Sequence, residues 1–245
     1  MAGHSKWANI KHRKGRQDAA RGKLFAKLIK AIESAARQGG GDIAANATLA
    51  TAVQKAKDAS VPKDNIDRAI ARGTGEVEGV AYVESFYEGY APGGVALYVQ
   101  ILTDNRNRAA SDVRAAFNKH GGNLGEPGSV GYLFDQKGYI LADGDEEAVL
   151  MAALEGGAED VKADGEQWEI VSGPSDLQAV RSALEGAGAV IETADITWLP
   201  STSIPVDEAT APKVLRLVDA LEDLDDVQAV FANFDISDEV FATME

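Results

Sequence analysis

The chain has 245 residues, of which 45% are hydrophobic and none is cysteine, so it predicts globular folding without disulfides, thiol catalysis or cysteine-bound zinc. The net charge of −15 is unevenly distributed: residues 1–72 carry 15 Lys and Arg against 6 Asp and Glu, whereas residues 73–245 carry 9 against 33. Because the basic beginning leads into no long apolar run, we expect neither a secretory signal nor a membrane span, and we expect a cytoplasmic protein.

The first part of the chain has the pattern of three helices. Apolar residues recur at helical spacing over 18–38, and three consecutive glycines end that helix. Asp42 or Asn46 can cap a second helix, while Pro62 suits the first turn of a third that ends at Gly73. Short helices with brief connections predict a small bundle over 18–75.

After the bundle the hydrophobic period changes from helical to strand-like. The predicted elements are strands over 82–90 and 95–102, a helix over 106–120, a glycine-rich loop over 121–131 and a strand ending near Phe134. The elements that follow have the order β-α-β-β-α-β of the ferredoxin-like split unit. They are predicted over 139–142, 146–155, 160–163, 167–171, 175–187 and 190–198.

A last helix, 207–224, and a last strand, 227–234, have no partner in that split unit. We expect them to pack back on the strands that precede it. The predicted fold class is therefore α+β: an N-terminal three-helix bundle followed by two α+β, ferredoxin-like domains, one inserted in the other. The predicted domain limits are 1–17 for a basic arm, 18–75 for the bundle, 79–134 plus 203–245 for the interrupted domain and 135–202 for the inserted one.

The strongest functional feature is the basic arm with the helix after it. Five Lys and Arg and no acid lie between Lys6 and Arg16, and further cations share one face of the first helix. A charged face is usually only a solvated surface, but such an arm is costly unless a polyanion neutralises it. Trp7 could stack on a base or anchor the arm. The predicted nucleic-acid-binding residues are His4, Ser5, Lys6, Trp7, Lys11, His12, Arg13, Lys14, Arg16, Lys23, Lys27 and Lys30.

A secondary anion site is predicted at the start of the 106–120 helix, where side-chain and backbone donors meet. Its residues are Asn105, Arg106, Asn107 and Arg108. The alternative is an ordinary helix cap with arginines paired to local carboxylates. The loop over 121–131 also has two interpretations, because its glycines permit either close approach to a phosphate or a sharp turn into a strand.

Catalytic patterns are weak in this sequence. No Gly-Lys-Ser/Thr follows the glycines, and the three histidines are too scattered for a metal site. Asp223, Asp225 and Asp226 form the best carboxylate cluster, which we interpret as a solvated turn, with a metal-dependent nuclease as the alternative. We expect a protein that is not an enzyme and uses no cofactor, no metal and no small-molecule substrate.

Long motifs make the chain similar to the YebC family, which includes the mitochondrial translational activator of cytochrome c oxidase. The resemblance extends over the whole chain. It is carried by MAGHSKWANIKHRK at residues 1–14, VPKDNI at 61–66, YEGYAPGG at 87–94, LTDNRNR at 102–108 and HGGNLG at 120–125.

The resemblance implies a helical bundle and two α+β domains around a concave surface. It also implies a regulator of gene expression, either a DNA-binding transcriptional regulator or a ribosome-associated translation factor that relieves stalling. The arm and bundle would hold DNA or ribosomal RNA, and the acidic domains would contact a protein partner in the ribosome or the transcription machinery. The strongly acidic second part of the chain argues against nucleic acid along those domains.

Overall fold

The structure is a computed structural model, and it describes residues 18–237 and residue 240. The predicted basic arm, residues 1–17, therefore lies outside the described residues. The described residues form an α+β protein, as the sequence predicts. They fall into two compact units: one holds the residues up to Tyr132 and those from Thr202 onward, and the other is Leu133–Ser201. The bundle thus shares a unit with the interrupted α+β domain.

Three helices begin the first unit: α1 (Asp18–Gly39), α2 (Ala47–Asp58) and α3 (Lys63–Thr74). Asn46 is the N-cap of α2, and its side chain accepts a hydrogen bond from the Leu49 amide. Apolar residues of all three helices form one core around Ile32 and Leu49. Gly73, predicted to end α3, lies inside it and lets α3 approach α1, since a Cβ there would lie 2.6 Å from the Ala36 Cβ.

The rest of the first unit is a sheet covered by two helices. Its elements are β1 (Val83–Tyr90), β2 (Ala96–Thr103), α4 (Arg106–Lys119), β3 (Asn123–Leu124) and, later in the chain, α7 (Ala211–Glu222) and β9 (Val227–Ala232). The strand order is β3-β1-β2-β9, and β9 pairs antiparallel with β2. The last helix and strand therefore complete the early sheet, as predicted. Short strands β8 (Ile204–Pro205) and β10 (Phe234–Asp235) pair in parallel.

The second unit is a four-stranded antiparallel sheet with two helices. Its elements are β4 (Phe134–Asp143), α5 (Glu146–Gly156), β5 (Ala158–Asp164), β6 (Gln167–Ser172), α6 (Leu177–Gly186) and β7 (Val190–Pro200). The order β5-β6-β4-β7 is that of the ferredoxin-like split unit. The two helices pack their apolar residues on the sheet around Ile140 and Ile170.

The prediction of a strand ending near Phe134 was wrong, because β4 begins there. The sequence Asp135-Gln136-Lys137-Gly138 resembles a turn, but its backbone pairs with β7 over its whole length. Gly138 is needed for packing: a Cβ at this position would meet the Ser172 hydroxyl and the Leu177 Cβ. The glycine therefore marks a close approach of α6 to the sheet.

Candidate nucleic-acid interface

The predicted arm residues, from His4 to Arg16, all lie outside the described residues. Of the predicted nucleic-acid-binding residues, the structure describes Lys23, Lys27 and Lys30, all on α1. Their spacing of four and three residues brings the three ammonium groups to one side of the helix. The predicted contact between this face and nucleic acid stays a prediction, but the structure shows what the face contacts within the chain.

The three lysines lie on the acidic turn. We define this turn as residues 222–226, from the last residue of α7 to the residue before β9. Lys27 Nζ donates to the Glu222 carbonyl oxygen at 2.6 Å. Lys23 Nζ donates to the Asp223 carbonyl oxygen at 3.3 Å and to its Oδ1 at 3.2 Å. Lys30 Nζ donates to the Asp225 carbonyl oxygen at 3.0 Å. The cationic face of α1 is therefore turned toward the body of its own unit.

The C-terminal end of α7 explains why the three lysines bind here. The last carbonyl groups of a helix have no partner within it and carry the negative end of the helix dipole. No Lys or Arg occupies the last turn of α7, so α1 supplies the cations from another part of the chain. The sequence analysis missed this pairing, although the three lysines and the acidic run Glu222-Asp223-Leu224-Asp225-Asp226 were both visible.

Asp226 is the centre of the ion pairs at this turn. Its Oδ2 accepts from Arg108 Nη2 at 2.7 Å and from Nε at 3.1 Å, and its Oδ1 accepts from Lys30 Nζ at 3.3 Å. Burial opposes ionisation of this carboxyl, but hydrogen bonds from Arg108, Thr103 and Lys30 outweigh it, so the pKa of Asp226 is lowered. The prediction that Asp226 belongs to a solvated turn was wrong, because its side chain is buried.

The predicted secondary anion site divides into two pairs. Asn105 is the N-cap of α4, where its Oδ1 accepts from the Arg108 amide at 3.1 Å, and the Arg108 guanidinium binds Asp104 and Asp226. For these two residues the structure shows the alternative, a helix cap with a locally paired arginine. Arg106 and Asn107 are exposed, and in the described part of the chain their side chains contact no carboxylate. The anion site stays a prediction for them.

The glycine-rich loop does bind an anionic group, and that group belongs to the chain. The Glu88 carboxylate accepts backbone hydrogen bonds from Gly128 at 2.7 Å, Val130 at 2.7 Å and Gly131 at 2.8 Å. Burial raises the pKa of Glu88, but the three backbone donors outweigh burial and lower it below its ordinary value. Three of the loop donors that could have reached a phosphate are therefore occupied by Glu88, a residue that was not predicted to have a role.

A cleft of about 360 Å³ lies between α1, α4 and the acidic turn. Two cations, Lys23 and Arg108, and four carboxylates line it; the carboxylates are those of Asp112, Asp223, Asp225 and Asp226. The excess of negative charge makes this cleft unsuitable for a phosphate.

In residues 18–237 no group of three or more His, Asp or Glu side chains is arranged to hold a metal ion. The same residues include no helix with the length and apolar character that crossing a membrane requires.

Comparisons with known proteins give matches along almost the whole chain. Residues 5–76 match the TACO1/YebC protein N-terminal domain, and residues 82–234 match the TACO1/YebC second and third domain. A protein of Rubrobacter xylanophilus is 58% identical over 246 residues, which cover 99% of this chain and 98% of the relative. A protein of Beutenbergia cavernae is 59% identical over 250 residues, which cover 100% of this chain and 99% of the relative. Both are called probable transcriptional regulatory protein.

A solved structure shows the same fold. The crystal structure of a conserved hypothetical protein, Aq1575 from Aquifex aeolicus, is 51% identical in sequence and superposes with a TM-score of 0.86. The match covers 95% of this chain and 98% of the Aquifex chain.

Proposed function

Since the chain belongs to the TACO1/YebC family, we propose that it is a nucleic-acid-binding regulator of gene expression and that it binds duplex DNA as a transcriptional regulator. The observation that carries the proposal is the arm, with five Lys and Arg and no acid between Lys6 and Arg16. Relatives called probable transcriptional regulatory protein support the regulatory part. The proposed activity is binding, without a catalytic step.

The contacts of α1 change the proposed location of the nucleic acid. Lys23, Lys27 and Lys30 are bound to the acidic turn, so the arm supplies the main phosphate contacts. The bundle adds exposed cations on α2 and α3, at Lys57, Lys63 and Arg68. Phosphate contacts of this kind give affinity and salt dependence but read no sequence.

Ribosomal RNA is the second candidate, because three amide side chains of the bundle are used internally. Asn46 caps α2 and is buried, Gln38 donates to the Ser34 hydroxyl, and Gln54 donates to Asp58. Asn and Gln are the side chains that read adenine in the major groove. Because these amides bond within the bundle, the bundle is better suited to recognise the backbone and shape of a nucleic acid than its bases. A structured RNA offers such a backbone and shape as well as DNA does.

The arm is tested with two variants of equal net charge. One carries Lys11→Ala, Arg13→Ala and Lys14→Ala; the control carries Lys137→Ala, Lys162→Ala and Arg181→Ala in the second unit. Binding to a labelled DNA duplex is followed by fluorescence anisotropy between 50 and 200 mM salt. If about six phosphates are contacted, the wild-type affinity falls about a thousandfold over this range.

We expect the arm variant to bind more weakly and its salt slope to fall by about 3, while the control keeps the wild-type slope. Equal losses in the two variants would show that net charge alone matters and would refute the role of the arm. Co-sedimentation with ribosomes, measured beside promoter-DNA binding at the same salt, separates the two candidates. Retention on ribosomes without sequence-selective DNA binding would replace the DNA proposal by the RNA one.

A further inference from the structure

The second unit carries most of the net negative charge of the protein. Residues 133–201 contain 15 Asp and Glu against 3 Lys and Arg. In this fully described range each cation is paired with a carboxylate of the same unit. The pairs are Lys137–Glu159, Lys162–Asp160 and Arg181–Glu185. The unit therefore offers a polyanion no unpaired cation, and its charge repels nucleic acid.

Helix α5 of this unit is apolar on two sides. Its inner side packs into the core of the unit through Val149, Ala152 and Ala153. Its outer side exposes Leu150, Met151 and Leu154 by 39%, 55% and 72%. These three side chains lie within about 100° of one another around the helix axis. A surface helix normally turns only one apolar side to the core, so the outer side needs an explanation.

Carboxylates surround the outer side chains. Glu147 lies one turn before Leu150 and Met151, while Glu146 and Glu155 lie to either side, and all three glutamates are exposed. Helix α5 itself contains no Lys or Arg. We call Glu146, Glu147, Leu150, Met151, Leu154 and Glu155 together the acidic apolar face. An occupant of this face must offer apolar side chains flanked by positive charge.

We propose that the acidic apolar face binds a basic amphipathic segment of a protein partner. Such a segment places apolar residues at helical spacing against Leu150, Met151 and Leu154 and its Lys or Arg against the glutamates. Met151 has a flexible, polarisable side chain that can adapt to different apolar partners. The proposal concerns side chains of α5 only and does not depend on which nucleic acid the protein binds.

A second copy of the chain fits this face less well. Two copies of the second unit would bring two strongly acidic surfaces together, and like charges across an interface oppose association. A stable interface also needs about 20–30 residues on each side, whereas this apolar cluster has three side chains. Charge and size together therefore favour a short basic segment.

The proposal is tested on the full chain with a designed probe. The probe is a fluorescent 18-residue peptide, predicted to be helical, with Leu on one side and Lys on the other; a shuffled peptide of the same composition has no apolar side. The face variant carries Leu150→Ser, Met151→Ser and Leu154→Ser. The matched control replaces three exposed apolar residues of the first unit, Ile43→Ser, Val77→Ser and Val80→Ser.

We expect the amphipathic probe to bind the wild type and the control alike, and to bind the face variant about tenfold more weakly, the loss typical of removing interface anchors. The shuffled peptide should bind more weakly than the amphipathic one. Replacing Glu146, Glu147 and Glu155 by Gln should weaken binding and reduce its salt dependence.

Three results would overturn the proposal. The first is equal binding of the probe by the wild type and the face variant, which would mean that the acidic surface attracts the peptide without the apolar side chains. The second is a dimer in sedimentation that the face variant loses, which would assign the face to a second copy. The third is a loss of duplex-DNA affinity in the face variant only, which would assign the face to nucleic acid. We expect the arm variant to lose affinity for DNA and to bind the probe as the wild type does, so a failure of one proposal can be told from a failure of the other.

Discussion

Replacing Glu88 by Gln tests whether the glycine-rich loop depends on an internal carboxylate. The side chain keeps its size but loses its charge and one of its two acceptor oxygens. Among the described residues Oε1 accepts from the Gly128 amide alone, whereas Oε2 accepts from Val130 and Gly131. The glutamine amide should therefore place its NH₂ group toward Gly128, because that orientation loses one hydrogen bond instead of two.

The expected cost follows from these contacts. Losing the Gly128 bond costs about 1 kcal/mol, and the two remaining bonds each lose the roughly 1 kcal/mol by which a charged acceptor exceeds a neutral one. We expect Glu88→Gln to lower the free energy of unfolding by about 2–4 kcal/mol. The control is Glu84→Gln in the same strand, where the exposed carboxylate binds Gln100 and the change should stay within about 0.5 kcal/mol.

Urea unfolding followed by circular dichroism measures both variants, and hydrogen exchange of the amides at 128–131 locates the effect. The pKa of Glu88 is lowered in the folded state, so its stabilising contribution is present above the ordinary value of 4.5 and is lost as the pH falls through the lowered pKa. The difference between wild type and Glu88→Gln should therefore shrink below pH 4.5. If Glu88→Gln and Glu84→Gln have equal stability at neutral pH, water satisfies the loop amides as well as Glu88 does, and the reasoning is refuted.

Two further substitutions test the packing and the ion pairs of the fold. Asp226→Asn should destabilise the first unit by about 1–3 kcal/mol in urea unfolding, because it removes the buried charge that Arg108 and the partly exposed Lys30 bind, whereas Asp225→Asn should be nearly neutral; equal effects would show that the ion pairs of Asp226 contribute nothing. Gly138→Ala should destabilise the second unit by about 1–3 kcal/mol through overpacking against α6, and Gly186→Ala, which has open space, should not. Thermal unfolding followed by the fluorescence of the two tryptophans of that unit measures the pair, and an unchanged melting temperature for Gly138→Ala would contradict the packing argument.

The order of the elements could be predicted from the sequence because it depends on local patterns. Asn46 and Asn105 cap helices where the apolar periodicity begins, and side-chain capping acts over three residues. The ferredoxin-like order of the second unit followed from the sequence of strand and helix periods alone. The start of β4 was predicted wrongly because a glycine inside a strand, here Gly138, has the same local pattern as a turn, and only the position of α6 shows which is correct.

The candidate site was less predictable, because its contacts join distant parts of the chain. Lys30 and Asp226 are 196 residues apart, and Lys27 and Glu222 are 195 residues apart. Glu88 lies 40 residues from the first amide that it accepts from. A count of charges along the sequence treats these groups as unpaired, because neither spacing nor composition shows which opposite charges the fold brings together.

The ion pairs at the acidic turn differ in strength. This difference decides how many of the lysine charges on α1 remain accessible to an outside phosphate. Lys23 and Asp223 are both largely exposed, and exposed pairs of this kind contribute between zero and about 1 kcal/mol. Lys30 and Asp226 are largely shielded from solvent, and Arg108 binds the same carboxylate, so removing Lys30 would take away one of the two cations that balance a buried charge. Of the three lysines, Lys23 is therefore the one whose charge stays accessible to an outside phosphate, while Lys30 belongs to the structure of the first unit. Counting all three as nucleic-acid contacts overstates the positive charge that the folded protein presents beyond its arm.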